Sequence, residues 1–140
     1  DAGVEAIFIS GDGSLDPGFI ESAGDAADGS LLSCPCSFAT PEAPGALGEF
    51  ATAYEDINGA SPGTYSAEGF DAANILLAGI LGGATDRASL LEYVEGLKEV
   101  PDAISKVVTF ADNGNIEAQG IFIFEIVDGV ITQKVATDDL

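Results

Sequence analysis

The sequence predicts an α/β fold, with parallel strands in its first part and an antiparallel β-hairpin at its end. Two patterns support this class. Strand-like apolar runs alternate with helical periodicity near the N-terminus, and two β-branched runs flank an Asp-Gly pair near the C-terminus. The chain has 140 residues, of which 46% are hydrophobic. This is enough apolar sequence to form the core of one domain of ordinary size.

The N-terminal segment predicts a strand, a helix and a second strand. Residues 5–10 (EAIFIS) read as a short buried strand. Residues 17–27 predict a helix, because Asp16 suits its N-cap position and a proline suits its first turn. Residues 30–34 (SLLSC) predict the second strand, which Pro35 ends because proline cannot donate a hydrogen bond to a sheet.

Three helices are predicted in the middle of the chain. Apolar residues recur at helical spacing over residues 46–57, and Asn58-Gly59 marks the end of this helix. The second helix ends at Gly82-Gly83, and its apolar stripe is so broad that we expect burial on most sides. Asp86 suits the N-cap of the third helix. The apolar positions of that helix are Leu90, Leu91, Val94 and Leu97.

The C-terminal segment predicts β structure. Residues 106–110 (KVVTF) predict a third strand, and residues 111–115 (ADNGN) a turn. Residues 121–127 and 130–135 predict a hairpin, because Asp128-Gly129 between two β-branched runs is typical of a tight turn. A sheet with so few strands leaves much apolar helix surface to cover.

The charge of the chain excludes two classes of partner. Twenty-four acidic residues face four basic ones, and the formal net charge is −20. Nucleic acids and anionic membrane surfaces would be repelled, so neither is an expected partner. A soluble surface adapted to high salt and the attraction of cations both remain open as explanations. No apolar run is long enough to span a bilayer.

An enzyme is not expected. Histidine is absent, which excludes ordinary zinc sites and Ser-His or Cys-His catalysis. The sequence also has neither a glycine-rich phosphate loop nor a nucleophile elbow. No cofactor is predicted.

The two cysteines, Cys34 and Cys36, are separated by one proline. This is not the C-x-x-C spacing of redox motifs. They are expected as small, buried or half-buried residues that close a strand, and a bond from one of them to a cysteine elsewhere is the alternative. A bridge between residues so close would be strained, although it is not excluded.

The motif Gly11-Asp12-Gly13 places a carboxylate directly after the first predicted strand. Asp12 could be a turn residue, a metal ligand or the counter-ion of a cationic ligand. Two acidic patterns, at residues 12–16 and 112–115, superficially suggest calcium loops. Both lack the downstream glutamate of such loops, so they are expected to be turns and no metal site is predicted.

Three stretches, at residues 8–37, 64–80 and 107–129, together resemble a family of extracytoplasmic solute-binding proteins. The most specific motifs are the GDG turn after a strand, GDAADG before the next strand, Y-x-A-x-G-F-D-A-A at a helix start, and F-x-x-N-G-N before the final strands. The family is the leucine/isoleucine/valine-binding type of periplasmic binding protein (type I), which serves ABC importers.

The resemblance implies part of a fold with two Rossmann-like α/β lobes and a ligand between them. Residues 1–36 would belong to the C-terminal lobe, residues 37–117 to helices of the N-terminal lobe, and residues 118–140 to returning strands of the C-terminal lobe. The first half of the family's fold is missing. The absent part would normally supply the sheet that covers the predicted helices.

The resemblance also implies site residues. Asp12 would hold the α-ammonium group of a small amino acid of the branched-chain type, and Gly11 and Gly13 would let ligand and backbone approach closely. Tyr65 would provide an apolar wall and a hydroxyl group to the pocket. Pro35 and Cys36 would lie where the chain crosses the hinge between the lobes.

The implied function is capture of an amino acid outside the membrane and its delivery to an ABC permease. The location would be periplasmic or on the cell surface, with a lipid anchor on the missing N-terminal part. One alternative is the ligand-sensing ectodomain of a receptor. Another is a half-protein that does not bind ligand independently and associates with itself through exposed helix faces.

Overall fold

A computed structural model describes residues 5–100, 102–117 and 120–136. The chain divides into two compact units. The first comprises Asp1–Cys36 together with Gly120–Leu140, and the second comprises Ser37–Gln119. The first unit contains a sheet, whereas the regular elements of the second are helices.

A four-stranded mixed sheet forms the framework of the first unit. Its strands, in spatial order, are β1 (Ile9–Ser10), β2 (Leu31–Cys34), β3 (Phe122–Val127) and β4 (Val130–Ala136). β1 and β2 are parallel, while β3 is antiparallel to both β2 and β4. This confirms the predicted α/β class, with a parallel pair first and a hairpin last.

Local chemistry explains the hairpin turn and the first helix. Asp128 and Gly129 both have positive φ, as a two-residue type I′ turn requires. Helix α1 (Pro17–Ala23) begins at Asp16, whose Oδ1 accepts a hydrogen bond of 2.8 Å from the backbone N–H of Gly18. The predicted helix over residues 17–27 is too long. Gly24 has φ 57° and ψ −140°, which only glycine adopts readily, so the α-helix ends there and a 3₁₀ turn follows.

The core of the first unit lies on one face of its sheet. Alternate residues of β2 and β3 point to this face, as the two-residue period of strands requires. The buried cluster consists of Leu15, Ala27, Leu32, Cys34, Cys36, Phe124 and Ile126. Apolar residues of α1, among them Phe19 and Ile20, pack against this cluster.

The prediction of a buried strand at residues 5–10 is wrong. Only Ile9 and Ser10 pair as a strand, and Ile9 is 70% exposed. β1 is an edge strand that pairs with β2 alone, so no described strand pairs with its other side. Phe8 is half-exposed and stacks on Phe19, with ring centroids 5.6 Å apart.

The second unit contains α2 (Ala46–Asn58), α3 (Ser66–Leu81) and α4 (Arg87–Gly96). The predicted ends of these helices are confirmed. Gly59 takes the left-handed conformation after α2, and Asp86 forms a capping box with Ser89 at the start of α4.

The prediction that α3 is buried on most sides is wrong. Its buried residues are Ala67, Asp71 and Gly79, whereas Leu81 is 88% exposed. One side of the helix packs closely on α4: a Cβ atom added to Gly79 would lie 2.6 Å from ring and methyl carbons of Tyr93 and Leu90. Phe70 packs on Phe50 of α2, with ring centroids 5.1 Å apart. The rest of the apolar stripe meets no layer of the described chain, which is why Leu76, Leu77 and Ile80 are also exposed.

The predicted strand at residues 106–110 is also absent. Phe110 forms a single isolated bridge with Ile116, and the residues between them form the predicted turn, with Gly114 at φ 81°. Val107 is exposed. A β-branched run becomes a strand only where a partner strand is available, and the described residues offer this segment no ladder.

Candidate functional site

The loop that follows β1 is held by its own backbone hydrogen bonds and by the core cluster. Asp12–Ser14 form one turn of 3₁₀ helix, closed by hydrogen bonds from Ser14 N to Gly11 O (3.1 Å) and from Leu15 N to Asp12 O (2.9 Å). Leu15 is only 2% exposed and belongs to the core cluster. The hydroxyl groups of Ser10 and Ser14 lie 2.9 Å apart and brace the turn.

Asp12 is the first residue of this turn and is exposed. It stands at the carboxyl end of β1, next to the strand with which β1 pairs in parallel. This edge of an α/β sheet is where ligands commonly bind. The structure therefore places Asp12 at the end of the strands where such ligands bind.

The two glycines beside Asp12 are not required by the local fold. Neither Gly11 nor Gly13 has a positive φ, and a Cβ atom added to either would meet no atom within 4 Å. Conformation and packing among the described residues thus give no reason for glycine at these positions. A close approach by something outside this chain would give one.

Tyr65 lies in the second unit, where it precedes helix α3. It is the N-cap residue, has a left-handed backbone (φ 65°, ψ 9°), and makes no side-chain capping bond. The side chain is part-exposed, since 38% of the residue surface is accessible. An aromatic ring is thereby presented at a helix start that usually carries serine, threonine, aspartate or asparagine.

Two carboxylates that the sequence interpretation did not single out hold the first turns of α3. Asp71 is 4% exposed, and its oxygens accept bonds from Ile104 N (2.9 Å), Ser105 N (2.9 Å) and Ser105 Oγ (2.5 Å). Glu68 Oε1 accepts a bond of 2.6 Å from Ser37 N. Asp71 follows the buried Ala67 by four residues and so lies on the same helix face. An acidic residue on a buried face was the signal that could have revealed it.

Cys34 and Cys36 form a disulfide bond with each other, at the end of β2. Both residues are buried, as expected, and the bridge that the sequence did not exclude is present. The alternative of a distant partner is wrong. Their Cα atoms are 5.1 Å apart, within the usual range for a disulfide. Pro35 lies in the bend between them, and Cys36 is the last residue of the first unit before the chain passes into the second.

Within the described ranges, no group of three potential metal ligands comes together. Gly11, Asp12 and Gly13 form one continuous loop of the first unit, while Tyr65 belongs to the second. The roles of these four residues in ligand binding, and of Pro35 and Cys36 in a hinge, stay predictions.

Comparison with known proteins identifies the fold. The sequence matches no family model, and no curated protein matches it. The leucine-binding protein LivK from Thermotoga maritima is similar in structure, with a TM-score of 0.82 and 23% sequence identity over 99% of this chain and 39% of that protein. An ABC transporter substrate-binding protein from Desulfitobacterium hafniense, solved in complex with Leu, has a TM-score of 0.71 and 21% identity over 94% of this chain and 36% of that protein.

A protein from Rhodospirillum rubrum, named as a putative branched-chain amino acid ABC transporter, is also similar in structure. Its TM-score is 0.65 and its identity 22%, over 94% of this chain and 38% of that protein. The likeness confirms the predicted fold, which is part of the type I periplasmic binding protein fold. The chain spans less than half the length of the solved proteins that it matches.

Proposed function

We propose that this chain is part of a solute-binding protein that captures a small amino acid of the branched-chain type outside the membrane. One observation carries the proposal: an acidic residue between two glycines that the local fold does not require, at the carboxyl end of a parallel strand pair. The fold, which is shared with a leucine-binding protein and with a substrate-binding protein solved in complex with Leu, supports the same function.

Asp12 would bind the α-ammonium group of the ligand. An ammonium group offers three donors, and a carboxylate accepts them in charge-assisted bonds that are stronger than neutral ones. In this chain Asp12 is exposed. The remaining part of a two-lobe protein would enclose it and exclude water, which strengthens such a contact by lowering the local dielectric constant.

Tyr65 would contribute an apolar ring surface and a hydroxyl group to ligand binding. A side chain with one apolar face and one polar tip suits an amino acid that has an aliphatic side chain next to charged groups. Its position at a helix start, in a backbone conformation that tyrosine rarely adopts, supports a functional rather than a local structural reason for the residue.

The proposed location is extracytoplasmic. Disulfide bonds persist in oxidising compartments and are rare in the cytosol, so the bond between Cys34 and Cys36 supports this location. Among the residues that the structure describes, no helix combines the length and hydropathy needed to cross a bilayer. Attachment through a lipid on a preceding segment and delivery to an ABC permease complete the proposal.

The proposal is tested by a thermal-shift screen of the intact two-lobe protein. We expect leucine, isoleucine or valine to raise the melting temperature, because a ligand that binds only the folded state stabilises it. The informative comparison is 4-methylpentanoic acid, which is leucine without its amino group. If this acid stabilises the protein as well as leucine does, the ammonium-binding role of Asp12 is rejected. If no amino acid shifts the melting temperature, the function is rejected.

A further inference from the structure

Tyr65 carries a backbone strain that its own sequence does not explain. Among the described residues other than glycine, positive φ occurs at Tyr65, Asp102 and Asp128. Aspartate tolerates this conformation because its short polar side chain can bond to the nearby backbone, whereas a bulky ring cannot. Strain of this kind persists only where the surrounding structure fixes the chain on both sides.

The segment before Tyr65 is fixed to helix α2. The hydroxyl group of Ser61 donates a hydrogen bond of 2.7 Å to Oε1 of Glu55, six residues earlier in the chain. A turn then follows, in which Ser66 N donates to Gly63 O at 3.1 Å. The path of the chain into α3 is therefore constrained from the α2 side.

The segment after Tyr65 is fixed by Glu68. A glutamate at the third position of a helix usually bonds back to the N-cap residue and completes a capping box. Here Oε1 of Glu68 instead accepts the bond from Ser37 N (2.6 Å) and lies 3.3 Å from Nζ of Lys106. Oε2 is buried and has no hydrogen-bond partner among the described residues. The carboxylate is thus used for contacts distant in sequence, and α3 begins without a side-chain cap.

We infer that Glu55 and Glu68 are positioning residues that together hold Tyr65 in its left-handed conformation and so set the direction of its ring. The two carboxylates bracket a stretch of seven residues, 61–67, whose ends they anchor to different parts of the second unit. Glu68 has the larger effect, because its side chain is only 20% exposed, whereas the Glu55 bond is at the surface. Their part in ligand binding rests on the function proposed for Tyr65.

The inference is tested by NMR on the 140-residue chain with ¹³C-labelled tyrosine. The three tyrosines, Tyr54, Tyr65 and Tyr93, lie at different places in the second unit, so two of them are internal references. In Glu68→Gln we expect the Cα and Cβ shifts of Tyr65 to leave their left-handed values while the other two stay. We also expect the Ser37 amide to exchange about tenfold faster, because its charged acceptor is lost. Glu55→Gln should move Tyr65 in the same direction by less.

Glu49→Gln is the matched control, since it removes one exposed charge from the first turn of α2. It should leave all three tyrosines unchanged. Unchanged Tyr65 shifts in the Glu55→Gln/Glu68→Gln double variant would overturn the inference, even if Ser37 exchanged faster. If Glu68→Gln unfolds the chain, the Cα and Cβ shifts of Tyr65 in Glu55→Gln test the inference instead, and unchanged shifts overturn it. Unaltered leucine affinity of the intact two-lobe protein with Tyr65→Ala would instead reject the proposed ligand contact and leave the positioning role intact.

Discussion

Asp71 and Ser105 are joined by two hydrogen bonds: the carboxylate of Asp71 accepts from the backbone N–H of Ser105 at 2.9 Å and from its hydroxyl group at 2.5 Å. A third bond, from Ile104 N, reaches the other oxygen of Asp71. The hydroxyl group of Ser37 donates to the carbonyl oxygen of Ser105. One buried carboxylate of α3 therefore fixes residues 104–105 and, through them, the start of the second unit.

We expect Asp71→Ala to lower the free energy of unfolding by about 2–4 kcal/mol, because hydrogen bonds to a charged acceptor are lost and two backbone N–H groups lose their partner. Urea denaturation followed by circular dichroism measures the change. Asp56→Ala, at an exposed position of α2, is the control and should stay within about 0.5 kcal/mol of the original chain. An equal effect of the two substitutions would contradict the role of Asp71.

Asp86 makes the stability of α4 depend on pH. Hydrogen bonds from the backbone N–H and hydroxyl group of Ser89 lower the pKa of Asp86 below its ordinary value of 3.8. The folded state then binds this proton less readily than the unfolded state does. The stabilisation is therefore complete above pH 4 or so and is lost as the pH falls through the pKa of the folded state.

The direction of this pH dependence is checked by measuring the melting temperatures of Asp86→Asn and of the original chain between about pH 6 and pH 2. Asparagine also caps helices but does not titrate. We expect the original chain to be the more stable at neutral pH and its advantage to shrink in acid. An advantage that stays constant over the whole range would show that Asp86 does not contribute through its charge.

The excess of acidic residues predicts that salt stabilises the chain. The net charge is −20, and such like charges repel one another in the compact state. Screening shortens the range of this repulsion from about 10 Å at 0.1 M salt to about 3 Å at 1 M. The melting temperature should rise over this interval.

A variant that neutralises exposed charges provides the comparison for the salt series. Glu49→Gln, Asp56→Asn and Glu92→Gln combined should flatten the salt dependence, since all three residues are exposed. Repulsion would be rejected as the cause if the melting temperature fell with added salt. It would also be rejected if the melting temperature of the variant rose with salt as steeply as that of the original chain.

The chain alone should bind leucine weakly or not at all. The resemblance implies a ligand held between two lobes, and this chain spans 39% of the leucine-binding protein from Thermotoga maritima. Isothermal titration of the 140-residue chain measures this directly. A dissociation constant on the order of 1 μM, equivalent to about 8 kcal/mol of binding free energy, would refute the division of the site.

Features that depend on neighbours in sequence could be predicted, and features that depend on distant partners could not. The Asp128-Gly129 turn, the Asp16 and Asp86 caps and the end of α2 at Gly59 follow from local backbone chemistry. The strand at 106–110 and the burial of α3 were predicted wrongly. An apolar pattern indicates which surface is suited to burial, but it does not indicate whether the chain supplies a strand or layer to cover that surface.

The same distinction between local and distant contacts applies to the candidate site. The position of Asp12 after a strand, between two glycines, is visible in the sequence, and the resemblance gives it a role. The contacts of Glu68 and Asp71 join residues more than 30 positions apart, so periodicity could not reveal them. The disulfide between Cys34 and Cys36 was not favoured, because a bridge between residues so close was expected to be strained.

The central claim is that the Asp12 carboxylate neutralises the ammonium group of a bound amino acid. Isothermal titration of leucine into the intact two-lobe protein and its Asp12→Asn variant tests it most directly, with Asp16→Asn as a control that removes one charge four residues away and keeps a capping side chain. We predict that Asp12→Asn abolishes measurable binding, a loss of at least about a hundredfold in affinity, while Asp16→Asn binds normally. Equal leucine affinity in Asp12→Asn and the original protein would contradict the account.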